Sequence, residues 1–189
     1  MNERELGRGI VHVLFGIAFI ILIMFDFLKV WHLVFLVLAA STLAFLSREF
    51  RVPIVSFCLR NFERRDVWLP GKNFIFFLLG ILVVFAFFPK NICLASLAIL
   101  TFIDPVSHFI GRNFGRISML GKNIEGHIAG FILGSAFAMM FVKPLLATIG
   151  CFFGVLADIF TIKIQEVRIE DDFVIPIVAG LAMVLVDFL

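Results

Sequence analysis

Long apolar segments separated by short polar ones dominate this chain. A membrane-spanning helix needs about 20 predominantly apolar residues, with a range of roughly 17–25. Segments that reach or approach this length predict an all-α polytopic membrane protein with about seven transmembrane helices. The predicted spans are residues 9–28, 30–47, 73–89, 91–110, 126–142, 144–163 and 173–189.

The composition supports a single membrane-embedded domain covering residues 1–189. Apolar residues make up 62% of the chain and the mean hydropathy is +1.12, whereas soluble domains are about 45–50% apolar. The longest polar stretch, around residues 48–72, is too short for a soluble domain. Arg4 and Arg8 precede the first apolar segment, but no small-residue cleavage site follows, so we expect a retained helix rather than a signal peptide. Three cysteines without a CxxC pair support neither a disulfide framework nor a zinc site.

The distribution of positive charge predicts the orientation. With the N-terminus in the cytoplasm, all but three of the 16 Lys and Arg residues fall in cytoplasmic segments; the exceptions are Lys29, Lys90 and Lys143. We therefore expect the active face at the cytoplasmic side and the C-terminus outside.

The net charge of +2 is too small to indicate nucleic-acid binding. Segment 48–72 alternates Arg with apolar residues, which fits either an interfacial helix or a plain basic connector.

Residues 104–126 contain a group of charged residues and glycines between two apolar segments. A charge at the bilayer centre costs roughly 2.5–3.5 kcal/mol on insertion scales, so such residues are functional candidates. Asp104–Pro105 predicts a helix restart, with Asp104 as cap or as a Mg²⁺ ligand. The glycines leave room for phosphate oxygens, the cations neutralise them, and Glu125 suggests Mg²⁺ between protein and phosphates. The predicted loop contains Gly111, Arg112, Gly115, Arg116, Gly121, Lys122, Glu125 and Gly126.

Two further features lie near the same predicted membrane side. Arg8 and His12 share one helical face at the cytoplasmic end of the first span, where His12 is either functional or hydrogen-bonded to a neighbouring helix. Gly126, Gly130 and Gly134 recur every four residues, which predicts a close helix-packing face.

An acidic group follows on that side. Carboxylates opposite a basic loop suit a metal–nucleotide site, and a solvated polar turn is the alternative. His108 and His127 flank the loop and are interpreted as structural. The acidic group consists of Asp158, Glu166, Glu170, Asp171 and Asp172.

Taken together, these elements resemble the CTP-dependent lipid kinases: dolichol or polyprenol kinase, phytol kinase and CTP-dependent diacylglycerol kinase. Arg8, His12 and Gly16 are similar to the family's N-terminal element, except that Gly9 replaces the usual Lys. Asp171–Asp172 resemble an Asp-Asp-Asn element in which Asp172 replaces Asn, and either Asp158 or Glu166 holds the late-helix acidic position. The clearest match comprises Asp104, Ser107, Gly111–Arg112, Gly115–Arg116, Lys122 and Glu125–Gly126.

The resemblance implies transfer of the CTP γ-phosphoryl group to a membrane lipid alcohol such as a polyprenol or dolichol, with Mg²⁺ as cofactor. It implies that Arg8 belongs to the catalytic group. It also implies a CTP-binding set that consists of Ser107, Gly111, Arg112, Gly115, Arg116, Lys122, Glu125 and Gly126. Asp104 and His12 are both candidate bases. The expected metal ligands are Asp104, Glu125, Asp158, Asp171 and Asp172.

Several alternatives stay open from the sequence. A CTP:lipid-phosphate cytidylyltransferase would also use CTP, Mg²⁺ and a membrane acceptor. A small transporter would explain intramembrane acidic residues, but it predicts internal repeats, which this sequence lacks. The expected partners are CTP, the lipid alcohol and the bilayer, without nucleic acid; a homodimer is neither required nor excluded.

Overall fold

The computed structural model describes residues 3–49, 71–119, 122–160, 163–164, 167–168 and 170–188. Within these residues the predicted all-helical architecture is confirmed, because each predicted span coincides with a helix. Two pairs of two-residue antiparallel strands complete the fold. The elements are α1 (Glu3–Met24), α2 (Val30–Glu49), α3 (Lys72–Phe87), α4 (Lys90–Phe114), β1 (Ser118–Met119), β2 (Lys122–Asn123), α5 (Ile124–Ala138), α6 (Pro144–Ile159), β3 (Lys163–Ile164), β4 (Val167–Arg168) and α7 (Asp171–Asp187).

The apolar helices indicate a membrane protein. In the described ranges, α1, α2 and α4 are long and apolar enough to cross a bilayer. Helices α3, α5 and α6 are apolar but have 16, 15 and 16 residues. At 1.5 Å per residue such helices are about 22–24 Å long, against a hydrocarbon core of about 30 Å. The number of crossings and the orientation therefore stay predictions.

Helix α4 forms the centre of the bundle. It packs against α1, α3, α5, α6 and α7, and 67% of its most apolar 18-residue stretch is buried, against 17% for α1 and 11% for α2. Exposed Phe and Leu side chains cover α1 and α2. This arrangement suits two peripheral helices in lipid, because apolar surface costs little free energy there.

The bundle has two chemically different ends. At one end Lys90 forms an ion pair with Asp26, with Nζ 2.6 Å from Oδ1. A cavity of about 430 Å³ lies at this same end, lined by Asn91, Lys143, Asp187 and neighbouring residues. The polar residues singled out from the sequence lie at the other end, where α1, α3, α5 and α7 begin and α4 and α6 finish.

The structure corrects two local predictions. The helix restart at Asp104–Pro105 is wrong, because α4 continues through Pro105 to Phe114; packing against α1 and α5 outweighs the local preference of proline. The loop is also shorter than predicted. Gly111–Arg112 belong to the end of α4, and Glu125–Gly126 to the first turn of α5.

Other predictions concern residues outside the described part of the chain. The basic segment 48–72 lies there almost entirely, since residues 50–70 are not described. Gly121 and Glu166 also lie outside the described residues. The structure therefore gives the position of Asp158 but not that of Glu166, and the choice between the two for the late-helix acidic position stays open.

Candidate active site

His12, Asp104 and Asp172 meet at the polar end of the bundle, although they come from α1, α4 and α7. One ligand atom from each lies within 4.8 Å of the other two, and His12 Nδ1 is 3.6 Å from Asp172 Oδ1. Helix α1 approaches α4 closely through Gly16, where a Cβ atom would overlap the Thr101 side chain. His12 lies one turn before Gly16, so this close approach positions its ring beside Asp104.

Two more basic groups surround Asp104. His108 lies one turn later on α4, with Nε2 3.4 Å from Asp104 Oδ1. The charge of Arg8, one turn before His12, acts on both Asp104 and His108. Asp104 is thus a carboxylate set among two histidines and an arginine, which is the environment expected of a group that handles charge or protons.

The donor set of this cluster fits a hard divalent cation. Mg²⁺ is usually held by one or two carboxylates together with substrate phosphates and water, and Asp104 and Asp172 supply two carboxylates. The His12 Nε2 atom is buried and has no hydrogen-bond partner within the described residues. An unpartnered buried nitrogen costs free energy unless a ligand satisfies it, so a polar group of a ligand that bonded to His12 Nε2 would remove this cost.

A second cluster contains the other predicted acidic residues. The Lys122 ammonium donates to the Asp158 carboxylate, with Nζ 2.6 Å from Oδ1, and to the Asp158 carbonyl. It also lies 3.4 Å from Asp171 Oδ2. His127 Nε2 is 2.9 Å from Asp158 Oδ2, and its Nδ1 is 2.8 Å from the Asn123 carbonyl oxygen. Lys122, predicted to bind phosphate, is therefore surrounded by protein oxygens.

Glu125 lies apart from both clusters. Its Oε1 accepts hydrogen bonds from the backbone N–H groups of Arg116 and Ile117, at 2.8 and 3.0 Å. The pKa of Glu125 is lowered from its ordinary value by its own backbone N–H and by those of Arg116 and Ile117, because N–H donors favour the ionised form. Its role as a metal ligand stays a prediction, while the contacts show that it fixes the loop.

The loop glycines and Asn123 join α4 to α5. A Cβ at Gly126 would overlap the Ser107 carbonyl oxygen, and Asn123 Nδ2 donates to the Gly111 carbonyl oxygen at 2.5 Å. The packing face predicted from Gly126, Gly130 and Gly134 is confirmed, since Gly126 and Gly130 lie close against α4 and Gly134 packs closely against Cys151 of α6. These contacts leave the phosphate-binding roles of Ser107, Gly111, Gly115 and Gly126 as predictions. Arg112 and Arg116 are exposed beside the loop.

Sequence reasoning did not identify the ion pair between Lys72 and Glu170 at this end. Lys72 is only 5% exposed, and its Nζ lies 2.7 Å from Glu170 Oε1. The pair ties the start of α3 to the residue preceding Asp171. A lysine at the start of an apolar segment could have signalled a buried partner, but the local sequence does not identify Glu170.

Comparison with curated proteins finds one informative similarity. The chain is similar to CTP-dependent diacylglycerol kinase 1 of Eremothecium gossypii, with 32% identity over 63 residues. The matched part covers 32% of this chain and 20% of that relative's length. No family model and no solved structure matches the chain. The similarity supports the family of CTP-dependent lipid kinases without identifying a member.

Proposed function

We propose that this protein transfers the γ-phosphoryl group of CTP to the hydroxyl of a membrane lipid alcohol of the polyprenol or dolichol type, giving a lipid monophosphate and CDP. The observation that carries the proposal is the meeting of His12, Asp104 and Asp172 at the end of the bundle that also bears the basic loop. The similarity to a CTP-dependent diacylglycerol kinase supports the donor and the lipid class of the acceptor.

The donor side of the reaction needs neutralised phosphate oxygens more than covalent help. Arg112 and Arg116 are exposed at the loop and would bind the phosphates. Asp104 and Asp172 would hold Mg²⁺, which when bound offsets negative charge on the phosphate oxygens. Arg8, close to Asp104, adds positive charge on the same side of the cluster.

The acceptor side needs a base for the alcohol proton. With Asp104 and Asp172 assigned to the cation, His12 is the remaining candidate, because its buried Nε2 lacks a hydrogen-bond partner among the described residues. The acceptor O–H bond breaks and its proton moves to His12 Nε2. The freed oxygen bonds to the γ-phosphorus while the bond from that phosphorus to the bridging oxygen breaks, leaving CDP.

An apolar seam next to His12 suits the lipid tail. The His12 ring meets Phe77 edge-on with centroids 5.1 Å apart. Phe15 and Phe74 contact each other at 5.5 Å across α1 and α3, and Phe19 contacts Phe77 at 6.1 Å. Phe19 and Phe77 are buried, whereas Phe15 and Phe74 are exposed. A hydrocarbon chain would therefore lie along the rings of Phe15 and Phe74, out of water, with its hydroxyl directed toward His12.

Product analysis tests the proposal. Purified protein is incubated with γ-³²P-labelled CTP and Mg²⁺ in separate reactions that contain polyprenol, dolichol, phytol, diacylglycerol or a lipid phosphate. Label in a lipid monophosphate with release of CDP supports the kinase. Label in pyrophosphate with formation of a CDP-lipid from a lipid phosphate would overturn it in favour of a cytidylyltransferase.

A binding measurement separates recognition from turnover. CTP with Mg²⁺ should raise the unfolding temperature of the wild-type protein, because a ligand that binds the folded state stabilises it. Asp104→Asn should abolish that shift and the activity together. An equal shift in Asp104→Asn would remove Asp104 from the nucleotide–metal site.

A further inference from the structure

The hydrogen bonds of His127 fix how many protons the pair of His127 and Asp158 carries. A carbonyl oxygen can only accept, so Nδ1, 2.8 Å from the Asn123 carbonyl oxygen, carries a proton. Nε2 lies 2.9 Å from Asp158 Oδ2, and a hydrogen bond there needs one proton between the two atoms. The pair is either an imidazolium with a carboxylate or an imidazole with a carboxylic acid, and its total charge is zero in both cases.

The charge of the whole cluster follows from this count. Lys122 contributes one positive charge and Asp171 one negative charge, while His127 and Asp158 together contribute none. These four groups are therefore electrically balanced, and Asp158 and His127 are buried. Such a balance offsets the cost of removing charges from water, which is large for an unpaired group.

The cluster also connects three helices to the candidate active site. His127 belongs to α5, Asp158 to the end of α6, and Asp171 is the first residue of α7. Asp172, the next residue, faces His12 in the other cluster. A contact that holds Asp171 therefore restrains the first turn of α7, from which the Asp172 side chain projects.

We propose that Lys122, Asp158 and His127 are positioning residues that hold Asp172 in place beside Asp104 and His12. This inference rests on the proposed function and assigns Lys122 a role other than the phosphate contact expected from the sequence. Residues that orient the ligands of a metal commonly change activity by about 10–100-fold when they are removed.

Steady-state kinetics distinguishes positioning from phosphate binding. Lys122→Ala and His127→Leu should lower kcat about 10–100-fold and leave the KM for CTP nearly unchanged, because neither side chain would touch the nucleotide. His127→Gln, which keeps an N–H donor toward Asp158, should recover part of the loss. Lys90→Ala, which breaks the ion pair at the opposite end of the bundle, is the matched control and should keep the wild-type kcat.

Binding of Mn²⁺, followed by its paramagnetic resonance signal without turnover, provides an independent readout. We expect weaker Mn²⁺ binding in Lys122→Ala and His127→Leu than in Lys90→Ala, and unfolding temperatures of the three variants show that each is folded. A raised KM for CTP in Lys122→Ala with unchanged kcat would overturn the proposal, as would Mn²⁺ binding equal to that of the control. If the wild-type protein binds Mn²⁺ but phosphorylates no lipid alcohol, the proposed function is wrong. Comparison of Mn²⁺ binding among the three variants still tests whether Lys122 and His127 position Asp172.

Discussion

Glu125 shows how one carboxylate can be tested for two roles. If it fixes the loop through the N–H groups of Arg116 and Ile117, Glu125→Gln keeps an acceptor oxygen and should retain most activity. Glu125→Ala removes the acceptor of both hydrogen bonds and should lower the rate about tenfold. Initial rates at saturating CTP and Mg²⁺ measure this difference. Equal damage by Gln and Ala would instead indicate that the charge binds metal.

The pH dependence gives a second check on the same residue. The pKa of Glu125 lies below its ordinary value of 4.5, so its ionised form persists as the pH falls and is lost only below that value. The bonds to the loop are therefore intact throughout the range from neutral to mildly acidic pH. We expect the acid limb of the pH–rate profile to be the same in wild type and Glu125→Gln; a displaced limb would contradict this assignment.

At the residue scale, the sequence identified which side chains gather at the polar end of the bundle better than it identified how they pair. Asp104 and His12 were singled out because an ionisable group inside an apolar membrane segment is energetically costly. Their meeting with Asp172 depends on the packing of three helices, which the order of residues does not specify. Lys122 was predicted to bind phosphate because it follows a glycine in a basic loop. That role stays a prediction, and in the fold the Lys122 ammonium contacts Asp158 and Asp171.

At the element scale, two ion pairs offer a matched test of what fixes α7. Lys72–Glu170 is buried, while Lys90–Asp26 is solvent-accessible, with side chains 43% and 79% exposed. Removing one partner of a buried pair costs about 3–5 kcal/mol, against about 0.2–1 kcal/mol for an exposed pair. Thermal unfolding in detergent should therefore show a much larger loss for Lys72→Ala than for Lys90→Ala. Equal losses would show that the pair does not stabilise the start of α7.

The seam between α1 and α3 allows a prediction about the acceptor. Phe15 and Phe74 lie beside His12 and Phe77. Phe15→Ala and Phe74→Ala should therefore raise the KM for long-chain alcohols more than the KM for short ones. The apolar contact that each variant loses is worth at most about 1.5–3 kcal/mol of binding free energy. Phe35→Ala is the control, since Phe35 on α2 is also exposed but belongs to a different helix. A chain-length series of alcohols measures the effect, and a Phe35→Ala profile matching those of the seam variants would remove the lipid tail from the seam.

The elements themselves were predictable from the length and polarity of each segment, within a few residues at each end. The continuity of helix α4 was not predictable from the sequence. Pro105 and the glycines after it favour a break in the helix, and packing against α1 and α5 overrides that preference. The strands β1 and β2 have two residues each, too few for an alternating pattern to reveal them.

At the scale of the whole molecule, the proposal requires the polar end of the bundle to face one aqueous compartment. Helix α5 is the critical element, because its 15 residues reach only about 22 Å and must tilt little or locally thin the bilayer in order to span it. In a background without the native cysteines, Ser118→Cys before α5 and Lys143→Cys after it provide exposed reporters on its two sides. In sealed right-side-out vesicles, an impermeant maleimide should label Lys143→Cys and reach Ser118→Cys only after the membrane is permeabilised. Labelling of both cysteines from outside would mean that α5 does not cross the membrane. The proposal of a cytoplasmic site, in which CTP binds from the cytoplasm and the lipid lies within the bundle, would then be wrong.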